Sequence, residues 1–376
     1  MKIFAEQAGL ARVTARIANV AERKATIPIL NNMLIDAQSE AGAVWFHGTD
    51  LDMEIRERLE ARIETPGQIT LPASSLAEIA RGAPAGAEVM IGTMDDDPRA
   101  AVKFGRSRYL LPILPAGDFP TRSTLTGDTL TMPAADLLSL LDHVHFAQST
   151  EETRYYLCGT HLTTVSDEGR PVFRVVATDG NRMVLDQRPI DAGVSIPGVI
   201  VPRAAIAEFR RILAGSKADV QITVTAAGVA LELDDVRLTT KTIDGAYPDY
   251  LRVLPRQWDR EITIDRAVLH SAIKRVAVIS ADKSRSTKLS IEDEVLTLTV
   301  RNMEAGMADE QIEVQGEGLL FETGFNAKFL LDVLEQTDAD QMILRVTDGV
   351  SPARLDPHPG TAGAANIVNV IMPLRV

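Results

Sequence analysis

The residue types in this chain that could do chemistry are mainly acidic. Asp50, Asp52, Asp179, Asp348 and the run Asp95–Asp97 carry carboxylates of the kind that hold metal ions. Paired metal ions bound by carboxylates drive many nucleases, so a metal-dependent nuclease is one hypothesis for the chain. Aspartate side chains also stabilise turns by hydrogen-bonding to nearby backbone, and Asp50 and Asp179 both follow a threonine. We therefore favour a structural role for these two residues.

Other catalytic chemistry finds little support in the sequence. His143 and His145 are two residues apart in a helical pattern, so they point to different faces and do not form the usual metal pair at i and i+4. The other histidines, which have no ligand-like spacing, are His47, His161, His270 and His358. Cys158 lacks a nucleophile signature and is interpreted as a small buried residue. No Walker A motif or Rossmann fingerprint is present. The sequence predicts no catalytic residue, metal or cofactor.

A repeated segment indicates how the chain is organised. The segment Leu71–Ile79 returns as Val201–Phe209 and, more faintly, as Phe325–Val333. The copies lie about 125 residues apart, which is the size of a domain and far longer than the period of a solenoid. This spacing predicts three like domains, with boundaries at residues 1–123, 124–254 and 255–376.

Further landmarks keep the same order in each repeat. The three polar segments that precede the copies are Thr49-Asp50-Leu51, Thr178-Asp179-Gly180 and the weaker Arg301-Asn302-Met303. The helices predicted upstream from apolar periodicity are Glu6–Ala21, Ala134–Ala147 and Arg266–Ser280. Alternating segments such as Gln221–Thr225 and Val229–Leu233 predict antiparallel strands. Each repeat therefore has two helices packed on antiparallel sheets, an α+β architecture.

Composition indicates the cellular compartment, and the positions of the charged residues show where positive charge gathers. The chain has 376 residues, a single cysteine and a net charge of −13. One cysteine excludes an internal disulfide and suits a reducing cytoplasm, and the N-terminus lacks an apolar signal core. Although the chain is acidic, positive charge clusters on predicted helices: Arg12 and Arg16 in the first repeat, Arg203, Arg210 and Arg211 in the second, and Lys274 and Arg275 in the third. Clusters on matching helices predict a shared basic surface.

Five segments carry a resemblance to a known family. They are Thr26–Asn32, Arg154–Leu157, Ala177–Arg182, Tyr247–Pro255 and Met372–Val376. In sequence and in order they closely resemble the β subunit family of bacterial DNA polymerase III, the replicative sliding clamps. The resemblance covers essentially the whole chain and includes the triplication. It implies a non-catalytic subunit that encircles duplex DNA and tethers a polymerase to it, raising processivity by effective concentration.

The resemblance also implies a head-to-tail homodimer, in which two copies of three domains form a ring with helices lining the hole. A heterologous interface that closes on itself produces such a ring and leaves no exposed sheet edge. The apolar positions that match the family's joint are Tyr109 on one side and Val278 with Ile279 on the other. Basic Lys103, Arg106 and Arg108 are then expected to face acidic Glu304, Asp309 and Glu310.

Within the ring, weak and sequence-independent contacts with the DNA backbone suit sliding, because encirclement itself prevents escape. Lys24, Tyr155 and Tyr156 match positions at which the family touches DNA. Arg12, Arg16, Arg203, Lys274 and Arg275 are added because of their position on helices. Glu151 and Ser74 depart from the polar or basic residues that are common in the family, so DNA contacts there are expected to differ.

The apolar chain end, Ile367–Leu374, is predicted to be docked, since free ends are usually polar. In the family the end lines a groove that binds short peptide motifs of the polymerase catalytic subunit, the clamp loader, other polymerases and repair proteins. The matching residues are Arg154, Leu157, Thr178, Gly180, Asn181, Arg182, Met183, Pro248, Arg252, Val253, Asn326, Val350, Val370, Met372, Pro373, Leu374 and Arg375. Asn181, Leu374 and Val376 depart from common family residues, which affects the expected peptide preference. A third hypothesis is a monomeric peptide-binding scaffold that uses this groove without forming a ring.

Overall fold

The computed structural model describes residues 1–22, 26–94, 97–191, 193–280, 286–316, 320–359 and 367–374. The chain forms two compact units. The first contains residues 1–135 and 207–242, and the second contains residues 136–206 and 243–376. None of the described helices is long and apolar enough to cross a bilayer.

The α-helices match the predicted pattern. In chain order they are α1 Gln7–Val20, α2 Ala73–Gly82, α3 Ala134–Val144, α4 Arg203–Leu213, α5 Arg266–Val276 and α6 Ala327–Glu335. The predicted helices at residues 134–147 and 266–280 are confirmed, with the last turn tightened into the 3₁₀ segments His145–Ala147 and Ala277–Ile279. On α1, Leu10, Val13 and Ile17 form the buried face that their spacing predicts.

Twenty-five strands are described. In chain order they are β1 Lys2–Glu6, β2 Asn32–Asp36, β3 Ala43–Thr49, β4 Met53–Glu60, β5 Arg62–Thr65, β6 Gln68–Pro72, β7 Glu88–Thr93, β8 Arg99–Phe104, β9 Ser107–Pro112, β10 Asp128–Pro133, β11 Gly159–Asp167, β12 Arg170–Thr178, β13 Arg182–Pro189, β14 Val199–Pro202, β15 Asp219–Thr225, β16 Gly228–Leu233, β17 Val236–Lys241, β18 Arg260–Asp265, β19 Ser286–Glu292, β20 Val295–Asn302, β21 Gly306–Glu313, β22 Leu320–Asn326, β23 Gln341–Val346, β24 Ala353–Pro357 and β25 Val368–Ile371.

All described strand pairs are antiparallel, as predicted. The first unit has a five-stranded sheet in the order β5-β1-β7-β8-β9 and an eight-stranded sheet in the order β10-β15-β16-β17-β4-β3-β2-β6. The second unit has an eight-stranded sheet in the order β14-β11-β12-β13-β25-β24-β23-β18 and a four-stranded sheet in the order β21-β20-β19-β22. The α+β fold class is therefore confirmed.

Each eight-stranded sheet joins strands of two sequence repeats. In the first unit, β17 of the central repeat pairs with β4 of the first, and Thr240 lies opposite Met53. In the second unit, β25 of the last repeat pairs with β13 of the central one, and Ile371 lies opposite Arg182. The central repeat thus contributes strands to both units. The chain therefore has two compact units although the sequence has three repeats.

The repeated segments begin helices in each repeat. They start at the ends of β6, β14 and β22 and continue into α2, α4 and α6. At the third copy Asn326 caps α6, because its Oδ1 accepts a hydrogen bond from the Lys328 N–H at 2.9 Å. Apolar residues of the helices and sheets form the cores, such as Leu269, Ile273 and Phe325 in the second unit.

Candidate partner groove and nucleic-acid interface

The polar landmarks of the repeats form the same turn. Asp50 Oδ1 accepts hydrogen bonds from the N–H groups of Asp52 and Met53, at 2.8 and 2.6 Å. Asp179 Oδ1 accepts equivalent bonds from residues 181 and 182, at 2.9 and 3.1 Å. Asn302 Oδ1 does so for residues 304 and 305, at 2.8 and 3.1 Å. These side chains hold backbone turns, which is the structural role favoured for Asp50 and Asp179.

The remaining aspartates of the nuclease hypothesis also have partners within the chain or lie outside the described residues. Asp52 pairs with Lys241 at 2.8 Å. Asp348 Oδ1 accepts the Val350 N–H at 2.9 Å, and Asp97 is paired with Arg99 at 2.9 Å. Asp95 and Asp96 lie outside the described residues. Within the described ranges, no three His, Cys, Asp or Glu side chains are grouped as a metal site would require. The geometry therefore gives the nuclease hypothesis no support.

A mainly apolar groove lies in the second unit. Its lining combines the turn at Asp179, the 3₁₀ segment Tyr250–Arg252 and Met372, which directly follows β25. The residues that line it are Leu157, Thr178, Gly180, Arg182, Met183, Pro248, Asp249, Tyr250, Val253 and Met372. Eight of these residues belong to the set predicted from the sequence. Asp249 and Tyr250 were missed, although both lie in the Tyr247–Pro255 segment that carried the resemblance.

The C-terminal segment is docked, as its apolar character predicts. β25 lies between β13 and β24 and places Val370 opposite Met183. Beyond the strand, the Met372 N–H donates to the Asn181 carbonyl at 2.8 Å, and the Leu374 N–H donates to the Gly324 carbonyl at 2.8 Å. These bonds fix Met372 at the rim of the groove. Arg375 and Val376 lie outside the described residues.

An aromatic cluster supports one wall of the groove. The rings of His161 and Tyr247 stack with centroids 4.8 Å apart, and Tyr250 lies 6.1 Å from His161. The Tyr247 hydroxyl donates to the Val176 carbonyl at 3.4 Å. Burial lowers the pKa of His161 to about 4 and raises that of Tyr247. Both side chains are therefore neutral near pH 7, and the wall is apolar.

The arginines of the predicted groove have different surroundings. Arg182 is 7% exposed, and its guanidinium donates to Asp179 Oδ2 at 3.0 Å and to the Phe146 carbonyl at 2.6 Å, and it also pairs with Asp332. The chain itself thus holds the Arg182 guanidinium in place at the groove, where Arg182 forms part of the lining as the sequence predicts.

Arg154 and Arg252 lie nearer the solvent. The Arg154 side chain is held by Glu151 at 2.9 Å, and Gly180 leaves room for it, since a Cβ at Gly180 would lie 2.6 Å from its Nη1. Gly180 also has a φ of +89°, which favours glycine. Arg252 is largely exposed and pairs with Asp249 at 2.8 Å. Both guanidiniums are more exposed than that of Arg182, and their contact with a bound peptide stays a prediction.

The other predicted groove residues lie around its lining. Val370 packs beneath Met183, Asn181 supplies a carbonyl to the tail, and Asn326 caps α6. Pro373 and Leu374 are half-buried beyond Met372. Val350, at the Asp348 turn, is 71% exposed and is not part of the described lining.

The candidate DNA contacts are distributed over both units. In the first unit, Arg12 and Arg16 of α1 converge on the carboxylate of Glu57 in β4. In the second unit, Arg203 is exposed at the start of α4. Tyr155 is 52% exposed and meets the half-buried Tyr156 edge to face. Lys24 lies outside the described residues.

The two cations proposed on α5 also have acidic partners. Lys274 Nζ lies 3.3 Å from Glu335, and Arg275 Nε lies 2.9 Å from Glu310. Glu310, expected from the sequence to face a second copy, is thus paired within its own chain. Cys158, interpreted from the sequence as buried, is half-buried, and its thiol donates to the Glu151 carbonyl at 3.3 Å.

The candidate dimer residues lie beside open sheet edges. Tyr109 lies on β9, which ends the five-stranded sheet, and is 40% exposed. Val278 is 83% exposed on the 3₁₀ segment that follows α5, next to the half-buried Ile279. That exposure excludes ordinary core packing for Val278. β21 ends the four-stranded sheet.

Comparisons with known proteins agree with this geometry. Models of the DNA polymerase III beta subunit match the chain over residues 1–123 for the N-terminal domain, 131–249 for the central domain and 251–375 for the C-terminal domain. The beta sliding clamp of Caulobacter vibrioides (strain NA1000 / CB15N) is 46% identical over 380 residues, covering 100% of both chains. The beta sliding clamp of Escherichia coli (strain K12) is 32% identical over 378 residues, with the same coverage.

Solved structures give the same result. The DNA polymerase sliding clamp from Caulobacter crescentus superposes with a TM-score of 0.93 at 45% identity, covering 100% of each chain. The sliding clamp (DNA polymerase III subunit beta) from Bartonella birtlesii, bound to griselimycin, superposes with a TM-score of 0.94 at 37% identity and the same coverage. The resemblance drawn from the sequence is confirmed: the chain belongs to the DNA polymerase III beta subunit family, the beta sliding clamps.

Proposed function

We propose that two copies of this chain join head to tail into a closed ring that encircles duplex DNA and tethers a replicative polymerase to it. The observation that carries this proposal is the pair of open sheet edges. Each chain contains two joints between repeats, β17 with β4 and β25 with β13. The strands in corresponding positions that keep one edge open are β9 in the first unit and β21 in the second.

The two internal joints share one register. Thr240 lies opposite Met53 and Ile371 opposite Arg182. In each joint the next N–H donates to a turn carbonyl: Lys241 to Asp52 at 2.9 Å, and Met372 to Asn181 at 2.8 Å. If β9 of one copy pairs with β21 of a second copy in the same register, Arg108 lies opposite Asp309 and Leu110 lies opposite Met307. Opposite charges and apolar side chains thereby meet across the joint.

When both copies form this joint, no β9 or β21 edge stays open. This favours a closed ring over an open filament. A ring can hold DNA through topology, so its contacts with phosphates need not be tight. The net charge of −13 suits such a protein, since a largely acidic surface discourages DNA from binding outside the ring. The function needs no catalytic residue, cofactor or metal.

The groove supports the tethering role. Its aliphatic and methionine lining suits short apolar peptide anchors, and Arg154 and Arg252 at its edge suit polar groups of the peptide. We propose that the polymerase catalytic subunit, the clamp loader, other polymerases and repair proteins compete for it. We place this activity in the cytoplasm, together with bacterial replication.

The oligomeric state separates the ring from a monomeric peptide-binding scaffold. Sedimentation at micromolar concentration is expected to give a stable species of twice 40.8 kDa. Small-angle scattering of that species should fit a hollow ring. A particle of 40.8 kDa, or a dimer without a central opening, would contradict the proposal.

A further inference from the structure

Most cations proposed to face DNA contact a carboxylate of their own unit. In the first unit, Arg16 Nη1 donates to Glu57 Oε1 at 3.2 Å, and Arg12 donates to the same oxygen. In the second unit, Lys274 and Arg275 pair with Glu335 and Glu310. A phosphate that binds these side chains therefore competes with a carboxylate already in place.

Glu57 differs from the other acidic partners. Its side chain is 0% exposed on β4, whereas the side chains of Arg12 and Arg16 are 48% and 30% exposed. Burying a carboxylate is costly unless it is well paired, and Glu57 Oε2 has no hydrogen-bond partner in the described part of the chain. In the described part of the chain, Glu57 accepts its hydrogen bonds from Arg12 and Arg16. The buried carboxylate therefore holds these two side chains in place.

We propose that Glu57 is a positioning residue for DNA contact, which fixes Arg12 and Arg16 together and cancels one of their two positive charges. The pair then offers a phosphate about one net charge from a fixed position, and the grip on DNA stays weak enough for sliding. This inference rests on the proposed function, in which the duplex passes beside α1.

A second pair on α4 has the same design. Arg211 is 59% exposed by side chain, and it pairs with Glu208, which lies one helical turn earlier and is 7% exposed. Burial raises the pKa of Glu208 and of Glu57. Two exposed sites in one unit therefore combine open guanidiniums with buried carboxylates.

The test is Glu57→Gln in the full-length protein, with affinity for a short linear duplex measured between 50 and 200 mM salt. Glutamine has almost the same shape and keeps an acceptor for the arginines. Without the negative charge at residue 57, the full positive charge of the arginine pair is expected to raise the affinity for the duplex at low salt. The slope of log K against log salt should become steeper by about 0.9, which is the effect of one further phosphate contact. Affinity would then fall about 3-fold more across this salt range than in the wild type.

The matched control is Glu40→Gln. Glu40 pairs at 2.8 Å with Arg58, which follows Glu57 on β4 and so points to the opposite face of the sheet. The change in net charge is the same, yet the slope should stay at the wild-type value. An unchanged slope in Glu57→Gln, or an equal change in both variants, would overturn the proposal.

Two further variants keep the test decisive. In an Arg12→Gln background, Glu57→Gln should change the slope much less, because one of the guanidiniums it frees is gone; an undiminished change would overturn the proposal. If Glu57→Gln does not fold, Glu208→Gln must steepen the slope through Arg211, and an unchanged slope there overturns the proposal. Sedimentation of each variant reports ring formation separately, so a failure of the ring is distinguished from a failure of this inference.

Discussion

At the residue scale, similar side chains in the groove region serve different purposes. Val253 is 45% exposed and lines the groove, whereas Val350 is 71% exposed outside the described lining. Arg182 is enclosed by Asp179, Asp332 and the Phe146 carbonyl, whereas Arg252 is open to solvent. Side chains of the same type in this region thus differ in exposure and in the partners that they have within the chain.

Val253→Arg is expected to weaken binding of a polymerase-derived peptide by about 10-fold or more, or about 1.4 kcal/mol, because an apolar anchor would meet a charge. Val350→Arg makes the same change and should have a much smaller effect. Fluorescence anisotropy with a labelled peptide measures both. Equal losses in the two variants would show that the groove extends to Val350.

The partly buried His161 predicts a dependence of stability on pH. Burial lowers its pKa from 6.5 to about 4, so the unfolded chain takes up a proton before the folded chain does. Stability is therefore fully present above pH 6.5 and is lost as pH falls toward 4, by about 1.4 kcal/mol per unit and on the order of 3 kcal/mol in all. His47, with a pKa of about 4 from burial, adds a similar loss.

His161→Phe keeps a ring stacked on Tyr247 and removes the titration. Urea unfolding gives the free energy of unfolding at pH 7 and at pH 4.5. The loss between these two pH values should be smaller in the variant than in the wild type, by about half of the loss that the two histidine rings cause together. An identical difference in the variant would mean that His161 is protonated in the folded protein.

At the scale of elements, the sequence predicted what local patterns determine. Periodic apolar residues located α1, α3 and α5, the repeated segments located α2, α4 and α6, and the apolar chain end predicted that β25 is docked. The enclosure of Arg182 was not predictable, because Asp332 is 150 residues away in sequence. The sharing of the central repeat between two units depends on long-range strand pairs, such as β17 with β4, that no local pattern reveals.

Removing Met372–Val376 is expected to abolish peptide binding while the dimer remains intact. The deletion takes one wall of the groove and the bond to Asn181 but leaves β25 paired with β13. Anisotropy with the labelled peptide and sedimentation of the same sample measure the two properties. Peptide affinity that survived the deletion would move the groove elsewhere.

At the scale of the whole molecule, ring closure depends on a third joint like the two that each chain contains. If the shared register extends to β9 and β21, Arg108 meets Asp309 of the next copy. The family and the fold are established by the comparisons, whereas the residues of this joint remain a proposal. Since the joint is heterologous, both substitutions in one chain change both joints of the ring.

Arg108→Glu should weaken the dimer by about 10-fold or more through like charges at the joint, and Asp309→Arg in the same chain should restore it. Glu304→Arg makes an equal charge change in the turn before β21 and should restore it less. Sedimentation over a range of concentrations measures each dissociation constant. Rescue by both second substitutions to the same extent would contradict the proposed register.

A closed ring should stay on DNA because it encircles the duplex. The most direct measurement follows protein assembled on a nicked circular plasmid, in salt high enough to screen phosphate contacts, before and after a single cut that makes the plasmid linear. We expect retention on the circle and rapid loss from the linear form, since the ring can slide off an end. Equal retention or equal loss on both forms would show that adhesion, and not topology, holds the protein on DNA.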